Sequence, residues 1–299
     1  MSSGPANAAG VGWYLELAPV HYLRGRIVHP PVDSTDSRER AALERWKPGR
    51  RWYHPLLASI VIGASRFVMA RMNRLEVDGI ERFRSLQDRG GRGLLTYSNH
   101  ASLFDDPLIV ANLVSPRYEA IRWVGADAVN FFGNRAKSWL FTAGKCVPII
   151  RDTGLDQPGL RFLAYRLKEG DWVHIFPEGT RTRDSRGRLG DACKPGIGLI
   201  IEQAKPLTLP FYHTGMQDVL PVGAIVPRRG NTVRVLFGQA TDCDAHYLEG
   251  IASSRTGPLQ GRELWQALAD ATHRELQALE HAVTGAGALS AGSVGRRGG

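Results

Sequence analysis

The sequence predicts an α/β fold in which a mixed, mostly parallel sheet is flanked by helices. Two observations lead to this prediction. From residue 75 to residue 238, short apolar runs alternate with longer segments of helical pattern, and this alternation is typical of strands that are connected by helices. In addition, 43% of the 299 residues are hydrophobic and 22% are charged, which is the composition of a chain that folds around a large core.

The N-terminal part of the chain is predicted to lie outside this domain. Residues 1–49 are interpreted as an extension that is partly disordered, because its first residues are small and polar. Residues 50–74 contain the most apolar stretch of the chain, residues 56–70, which Arg66 interrupts. This stretch is shorter than the roughly 20 apolar residues that span a bilayer, and basic and aromatic residues flank it. We therefore expect a monotopic, membrane-associated helix, with a core helix as the alternative.

The main domain is predicted to occupy residues 75–284, and its elements follow from local patterns. Strands are expected where short apolar runs are bounded by glycine, proline or polar residues. These runs are residues 75–77, 94–97, 121–124, 146–150, 172–176, 208–212 and 232–238. Helices are expected between them, where the pattern has helical spacing. They are residues 80–89, 107–114, 131–141, 160–168, 199–203 and, after the last strand, 262–283. Residues 285–299 are rich in Gly, Ala and Ser and are predicted to form a disordered tail.

The charge of the chain favours an anionic partner. The formal net charge is +9 and the isoelectric point is about 9.8, which suits a phospholipid surface or a nucleic acid. A nucleic acid is the less favoured partner, because the basic residues are not interleaved with aromatic residues. The three cysteines lie far apart in the sequence, so neither a metal site nor a disulfide framework is predicted. No pattern predicts an oligomeric state.

Residues 94–106 contain the first candidate site. A short apolar strand ends just before His100, where the chain enters a turn. Asp106, which a proline follows, is predicted to cap the next helix, and this leaves Asp105 free to hold the histidine ring. A histidine that a carboxylate orients can act as a general base. The alternative is that the histidine only ends a strand and the two aspartates only cap a helix.

The second candidate site is the corner at residues 175–181. Pro177 ends a strand and Gly179 permits a sharp turn, so Glu178 and Arg181 are expected at the end of that strand. More basic residues follow the corner. They are Arg183, Arg186, Arg188 and Lys194. Guanidinium groups bind phosphate oxygens through paired hydrogen bonds, so the corner favours a phosphate site, whereas the residues after it could also form an ordinary exposed loop.

Several classes of catalytic site are absent from the sequence. There is no Gly-x-Ser-x-Gly elbow, no phosphate-binding P-loop and no dinucleotide-binding glycine pattern. Histidine spacings typical of metal sites are also missing, and His174 is predicted to be a packed core residue within a strand. A histidine–aspartate pair beside a phosphate site, without a protein nucleophile, suits a reaction in which the substrate's own hydroxyl attacks.

These stretches resemble the glycerolipid acyltransferase family. Four sequence blocks of that family occur in family order between residues 94 and 213. They are a histidine and an aspartate separated by four residues (His100 and Asp105), a glycine with a hydrophobic run and an arginine (144–151), Phe-Pro-Glu-Gly-Thr-Arg (176–181), and a hydrophobic run with proline (207–211).

The resemblance implies a role for particular residues. His100 would deprotonate the free hydroxyl of a lysophospholipid, and Asp105 would orient its ring. Four residues of the corner at residues 175–181 would hold the glycerophosphate, and one arginine outside it would contact a phosphate or head group. They are Glu178, Gly179, Thr180 and Arg181, with Arg151 as the further arginine. No metal or redox cofactor is implied, since the second reactant is only an acyl donor.

Within the family, the sequence is more similar to the tafazzin branch, which moves acyl groups between phospholipids and lysophospholipids. The similarity covers roughly residues 50–280. One departure is Thr180-Arg181, which is typical of acyl-CoA-dependent enzymes, so a phospholipid and acyl-CoA both stay open as the donor. Monolysocardiolipin, lysophosphatidylethanolamine and lysophosphatidate are candidate acceptors. The branch implies a peripheral or monotopic protein of the mitochondrial or another intracellular membrane. The alternative to an enzyme is a non-catalytic lipid-binding protein with the same fold.

Overall fold

An eight-stranded sheet lies at the centre of the protein. The computed structural model describes residues 22–23, 26–27, 37–113, 117–151, 153–224, 226–253 and 257–294. The small and polar start of the chain, and the last five residues of the predicted tail, lie outside the described residues.

The strands come from most of the length of the chain. In chain order they are β1 (Tyr22–Leu23), β2 (Arg26–Ile27), β3 (Arg74–Asp78), β4 (Leu94–Tyr97), β5 (Trp123–Asp127), β6 (Cys146–Ile149), β7 (Trp172–Ile175), β8 (Leu207–Thr214), β9 (Thr232–Phe237) and β10 (Thr241–Asp242). Strands β1 and β2 pair with each other in antiparallel orientation and form a separate two-stranded sheet.

The other eight strands form the predicted mixed, mostly parallel sheet. Their order is β3-β9-β8-β4-β7-β5-β6, and β10 pairs with the start of β8. The central strand β4 runs parallel to β7 and β8, and β5 runs parallel to β6 and β7. Strands β9 and β10 pair antiparallel with β8, and β3 pairs in parallel with β9 at the edge of the sheet. The predicted α/β fold class is therefore confirmed.

Helices precede, connect and follow the strands. They are α1 (Ser37–Arg45), α2 (His54–Phe67), α3 (Ile80–Ser85), α4 (Ala111–Leu113), α5 (Ala128–Phe132), α6 (Arg135–Ala143), α7 (Pro158–Lys168), α8 (Gly196–Ala204), α9 (Met216–Val219), α10 (Ala245–Ala252) and α11 (Gly261–Val294). A π-helical turn, Val68–Met72, extends α2, and a second one, Asp106–Val110, precedes α4. A short 3₁₀ turn covers Tyr118–Ala120.

Alternate side chains of the central strands face two cores. Leu95 of β4 and Val173 of β7 belong to the core that α7, α8 and α11 cover. Leu94 and Trp172, one residue earlier in each strand, belong to the other core, which contains Phe83 of α3. This is the two-residue period of a strand that is buried on both faces, and it explains why these strands are short apolar runs in the sequence.

Two predicted helices have different bounds in the structure. The helix expected over residues 131–141 is divided into α5 and α6, because Asn134 starts a new helix by accepting a hydrogen bond from the backbone N–H of Lys137 at 2.9 Å. The C-terminal helix α11 does not end at residue 283 but continues to Val294, into the segment that was predicted to be a disordered tail.

Helix α2 and its π-helical extension form one apolar segment with two apolar faces. The segment His54–Met72 has 19 residues and a mean hydropathy of 1.4, which is long and apolar enough to cross a membrane by length and composition. One face is buried, through Ala58, Ile62 and Met69. The other face is exposed, and Ile60 and Phe67 on it are 59% and 60% exposed. The helix lies within the predicted region 50–74 and extends the apolar stretch 56–70 by two residues at each end. It is not a fully buried core helix.

Candidate active site

The first candidate site lies where three neighbouring parallel strands end. Strand β4 leads into His100, β7 leads into Glu178, and His213 is the last residue but one of β8. Because β4 pairs in parallel with both neighbours, their carboxyl ends meet at one edge of the sheet, the usual position of a site in an α/β fold.

His100 and Asp105 form the hydrogen-bonded pair that the sequence predicts. The ring Nδ1 of His100 lies 2.9 Å from Oδ2 of Asp105. The Asp105 side chain is 1% exposed and that of His100 is 19% exposed. Among the described residues, the other ring nitrogen of His100, Nε2, has no hydrogen-bond partner. The carboxylate therefore selects the tautomer with the proton on Nδ1 and leaves a lone pair on Nε2 for a substrate.

Backbone donors hold the Asp105 carboxylate in place. Its Oδ2 also accepts hydrogen bonds from the N–H groups of Ala101 at 2.7 Å and Ser102 at 2.8 Å. Its other oxygen is buried without a partner in the described part of the chain. Three donors therefore converge on one oxygen, which fixes the orientation of the carboxylate toward the histidine.

The segment after β7 positions the rest of His100. The ring of Phe176 stacks on the imidazole, with ring centroids 4.1 Å apart and planes inclined by 17°. The backbone N–H of His100 donates to Oε1 of Glu178 at 3.1 Å, and its carbonyl accepts from the N–H of Thr182 at 2.7 Å. The ring and both backbone groups of His100 are thus fixed by residues about 80 positions later in the chain.

Glu178 occupies a buried position behind the histidine. It is 7% exposed, and its second carboxylate oxygen accepts from the N–H of Gly190 at 2.7 Å. Burial raises the pKa of this carboxyl group, and the hydrogen bonds from the Gly190 and His100 backbone partly offset that rise. Since both oxygens bind backbone donors, Glu178 supports His100 in this structure. Its expected contact with glycerophosphate stays a prediction.

The next three residues of the corner are more accessible. Gly179 has the left-handed φ of 72° that the turn requires. Thr180 is exposed and Arg181 is half-buried, and the Arg181 guanidinium has no ion pair with a described residue. The basic residues after this corner are mostly exposed. They are Arg183, Arg186, Arg188 and Lys194. The corner thus presents a cationic rim beside the histidine–aspartate pair.

Arg151 lies farther away along the same edge of the sheet. It follows β6, which is separated from β4 by β7 and β5, so the ends of β4 and β6 are about 14 Å apart at the usual strand spacing. Its Nε forms an ion pair with Asp127 at 2.9 Å, and its side chain is 48% exposed. The structure therefore does not bring Arg151 next to His100, although it leaves the guanidinium accessible to a distant group.

Asp106 does not cap a helix as predicted. Its carboxylate forms an ion pair with Arg122 through two hydrogen bonds, one of them with an N–O distance of 2.6 Å. Both side chains are mostly buried, and Arg122 also donates to the carbonyl of Gly144 at 3.0 Å. No side-chain cap is formed at the π-helical turn that begins here. Arg122 is distant in the sequence, which is why the local pattern of aspartate and proline suggested a cap.

Two buried histidines, His174 and His213, lie near the His100–Asp105 pair. His174 is fully buried and its Nδ1 lies 2.9 Å from the hydroxyl of Thr96, which confirms the predicted core position. His213 is 1% exposed and contacts Asn99. His213 was not among the predicted site residues. The one local signal for it is its position near a strand end, two residues before Gly215, which has a φ of 90°.

Within the described residues, no group of three or more histidine, cysteine or carboxylate side chains is arranged to hold a metal ion.

A family model described as Acyltransferase matches residues 74–214. Tafazzin from Drosophila melanogaster is 34% identical over an alignment of 216 positions, and the match covers 68% of this chain and 55% of that protein. N-acylphosphatidylethanolamine synthase from Arabidopsis thaliana is 33% identical over an alignment of 187 positions, and the match covers 57% of this chain and 64% of that protein. The crystal structure of the 1-acyl-sn-glycerophosphate acyltransferase PlsC from Thermotoga maritima has a TM-score of 0.49, 19% identity, and coverage of 80% of this chain and 87% of that one. The chain spans 55% to 64% of the length of these two curated relatives.

Proposed function

Residues 74–214 belong to the acyltransferase family, and from this premise we propose that the protein transfers a fatty acyl group onto the free hydroxyl of a lysophospholipid. The observation that carries the proposal is the 2.9 Å hydrogen bond between His100 and the buried Asp105, with Nε2 of the histidine left free. Such an arrangement makes a general base of the kind that activates a hydroxyl.

In the proposed reaction, Nε2 of His100 takes the proton from the acceptor hydroxyl as its oxygen attacks the carbonyl carbon of the acyl donor. Asp105 stabilises the imidazolium that forms. When the tetrahedral intermediate collapses, the bond to the donor's alkoxide or thiolate breaks, and the imidazolium returns its proton to that leaving group. General-base help of this kind contributes about 10² to 10⁴ in rate. The acyl donor is the only second reactant, and no metal or redox cofactor is part of the proposal.

We assign the phosphate of the acceptor to the cationic rim. Arg181 has a half-buried guanidinium without an ion pair among the described residues, and the exposed backbone of Gly179 and Thr180 lies beside it. Arginine at this position can bind two phosphate oxygens at once. Arg151, which lies about three strand spacings away, suits a distal part of the head group better than the phosphate next to the reacting hydroxyl.

We propose that helix α2 seats the protein in one face of a membrane. The exposed side of α2 is apolar, and Trp52 just before it is 87% exposed. Exposed tryptophan and leucine or isoleucine side chains next to basic residues are typical of helices that lie in the membrane interface. A peripheral or monotopic position would place the histidine–aspartate pair near phospholipid and lysophospholipid substrates. The tafazzin relative favours a mitochondrial membrane, which fractionation of cells that express the tagged protein would test.

The proposal is tested with the purified 299-residue protein and liposomes that contain a lysophospholipid and a labelled phospholipid. The wild type is expected to form re-esterified product. His100→Ala is expected to abolish it while sedimentation with liposomes is unchanged, and His246→Ala, which alters an exposed histidine of α10, is the matched control. Full activity of His100→Ala would overturn the proposal, and liposome binding without transfer by the wild type would favour a lipid-binding protein.

The same assay distinguishes the acyl donors and acceptors. Product formation without acyl-CoA identifies the protein as a transacylase, of the type that the tafazzin name implies, with monolysocardiolipin as the first acceptor to compare. Strict dependence on acyl-CoA identifies an acyl-CoA-dependent lysophospholipid acyltransferase, which the Thr180-Arg181 pair favours. Phosphatidylethanolamine as acceptor tests the amine transfer that the name of the Arabidopsis relative describes.

A further inference from the structure

His213 holds the peptide that leads into His100. Its Nε2 lies 3.1 Å from the carbonyl oxygen of Asn99, and 3.6 Å from Oδ2 of Asp105. The Asn99 side chain also pairs with the backbone of His213, since its amide donates to the carbonyl at 2.9 Å and its oxygen accepts from the N–H at 3.0 Å. The end of β8 is thereby joined to the end of β4 by three hydrogen bonds.

The tautomer of His213 follows from these contacts. A backbone carbonyl is an acceptor only, so Nε2 must bear a proton to bind Asn99. The other ring nitrogen, Nδ1, is buried and has no partner in the described part of the chain. Burial also lowers the pKa of this histidine, so the ring is neutral near pH 7. His213 therefore presents one N–H dipole, directed at the Asn99 carbonyl and close to the Asp105 carboxylate.

The Asn99 carbonyl and the His100 N–H belong to the same peptide plane. This plane is rigid because the peptide bond has partial double-bond character. His213 binds its oxygen at 3.1 Å and Glu178 binds its N–H at 3.1 Å. The peptide is thus held from both sides by side chains of two different strand ends, and rotation of the plane would displace the His100 ring from Asp105.

We propose that His213 is a positioning residue for the His100–Asp105 pair, acting through the N–H that it donates to the Asn99 carbonyl. The proposal rests on the proposed function, in which His100 is the base. His213 is nearly inaccessible to solvent, so it is too buried to bind the lysophospholipid directly, and its loss should lower kcat and leave KM almost unchanged. A displacement of about 1 Å in a reacting group can reduce the rate about 10²-fold, and we expect a 10- to 100-fold decrease in kcat for His213→Leu.

Conservative variants distinguish this role from simple packing. In His213→Gln, the side-chain amide nitrogen can take the place of Nε2 and donate to Asn99, so most of the lost kcat should return. In His213→Asn, the amide nitrogen takes the place of Nδ1 instead, so kcat should stay low. His273→Leu is the matched control, because His273 is also buried and its one hydrogen-bond partner among the described residues is Cys193, at 3.8 Å. It should lose stability but retain kcat at temperatures where it is folded.

The experiment measures kcat, KM and the melting temperature of these four variants, together with the imidazole N–H resonances of protein that contains isotopically labelled histidine. The Nδ1 proton of His100, assigned by its absence in His100→Ala, should be lost from His213→Leu and His213→Asn and be present in His213→Gln. The proposal is overturned if glutamine restores neither kcat nor this resonance, or if His273→Leu loses as much kcat as His213→Leu. Absence of acyl transfer by the wild type would refute the proposed function instead, and the resonance would still decide the role of His213.

Discussion

Replacing Asp105 by asparagine separates the charge of this residue from its position. Three donors converge on Oδ2, namely the His100 ring at 2.9 Å and the N–H groups of Ala101 and Ser102 at 2.7 and 2.8 Å. In Asp105→Asn, the amide oxygen is expected to stay there, because only an acceptor satisfies these donors. The amide nitrogen then replaces Oδ1, which has no partner among the described residues. The His100 tautomer is retained and only the negative charge is lost.

The expected decrease in kcat follows from the lost charge. A hydrogen bond to a charged group contributes about 1.5 to 3 kcal/mol, so kcat of Asp105→Asn should decrease about 10- to 150-fold. Where an asparagine reverses the tautomer of a general-base histidine, the loss is about 10⁴. The acyl-transfer assay measures this decrease under saturating lysophospholipid. A loss near 10⁴ would refute the retained tautomer, and wild-type kcat would refute a role for the charge.

Asp106→Asn is the control at the neighbouring residue. It is expected to lower the stability of the protein and to leave kcat unchanged. Its partner Arg122 is only 8% exposed, so removal of the carboxylate leaves a buried cation without a counter-charge. Breaking one partner of a buried pair costs about 3 kcal/mol or more, which corresponds to a melting temperature lower by about 6 to 12 °C. The folded protein should keep a kcat near that of the wild type. A variant that melts like the wild type but loses kcat as Asp105→Asn does would contradict this assignment.

Three further predictions concern residues that support the fold and the site. Glu178→Gln places an amide N–H against the backbone N–H of either His100 or Gly190, so kcat should decrease about 10- to 100-fold with little change in KM; an increase in KM alone would instead indicate contact with substrate. Burial lowers the pKa of His174 well below its ordinary value of 6.5. Just below pH 6.5, this histidine therefore binds a proton in the unfolded chain but not in the folded protein. The free energy of unfolding decreases by about 1.4 kcal/mol for each pH unit as the pH falls through this range. Denaturant titrations between pH 5 and 7 should show a shallower slope for His174→Gln, and equal slopes would contradict the buried neutral state. Asn134→Ala should lower the free energy of unfolding by about 1 kcal/mol through loss of the helix cap, measured in the same titrations, whereas an unchanged value would show that the cap does not stabilise α6.

Features that depend on neighbouring residues were predictable from the sequence. The contact between His100 and Asp105 is formed within one turn of the chain, so their spacing was enough to predict it. The mostly parallel sheet followed from the alternation of short apolar runs and helical segments, because a strand that is buried on both faces must be apolar throughout. The two-faced α2 helix was also visible as the most apolar stretch, although its full length was not.

The proposed base, its orienting carboxylate and the cationic corner beside them could all be identified from the amino-acid sequence. The contacts that hold these groups in place could not, because they join distant parts of the chain. Asp106 binds Arg122 instead of capping a helix, Glu178 binds a backbone group 78 positions earlier, and His213 binds one 114 positions earlier. The reason is physical. Local spacing predicts contacts within a turn, whereas contacts between strand ends depend on the order of strands in the sheet, which no local pattern encodes.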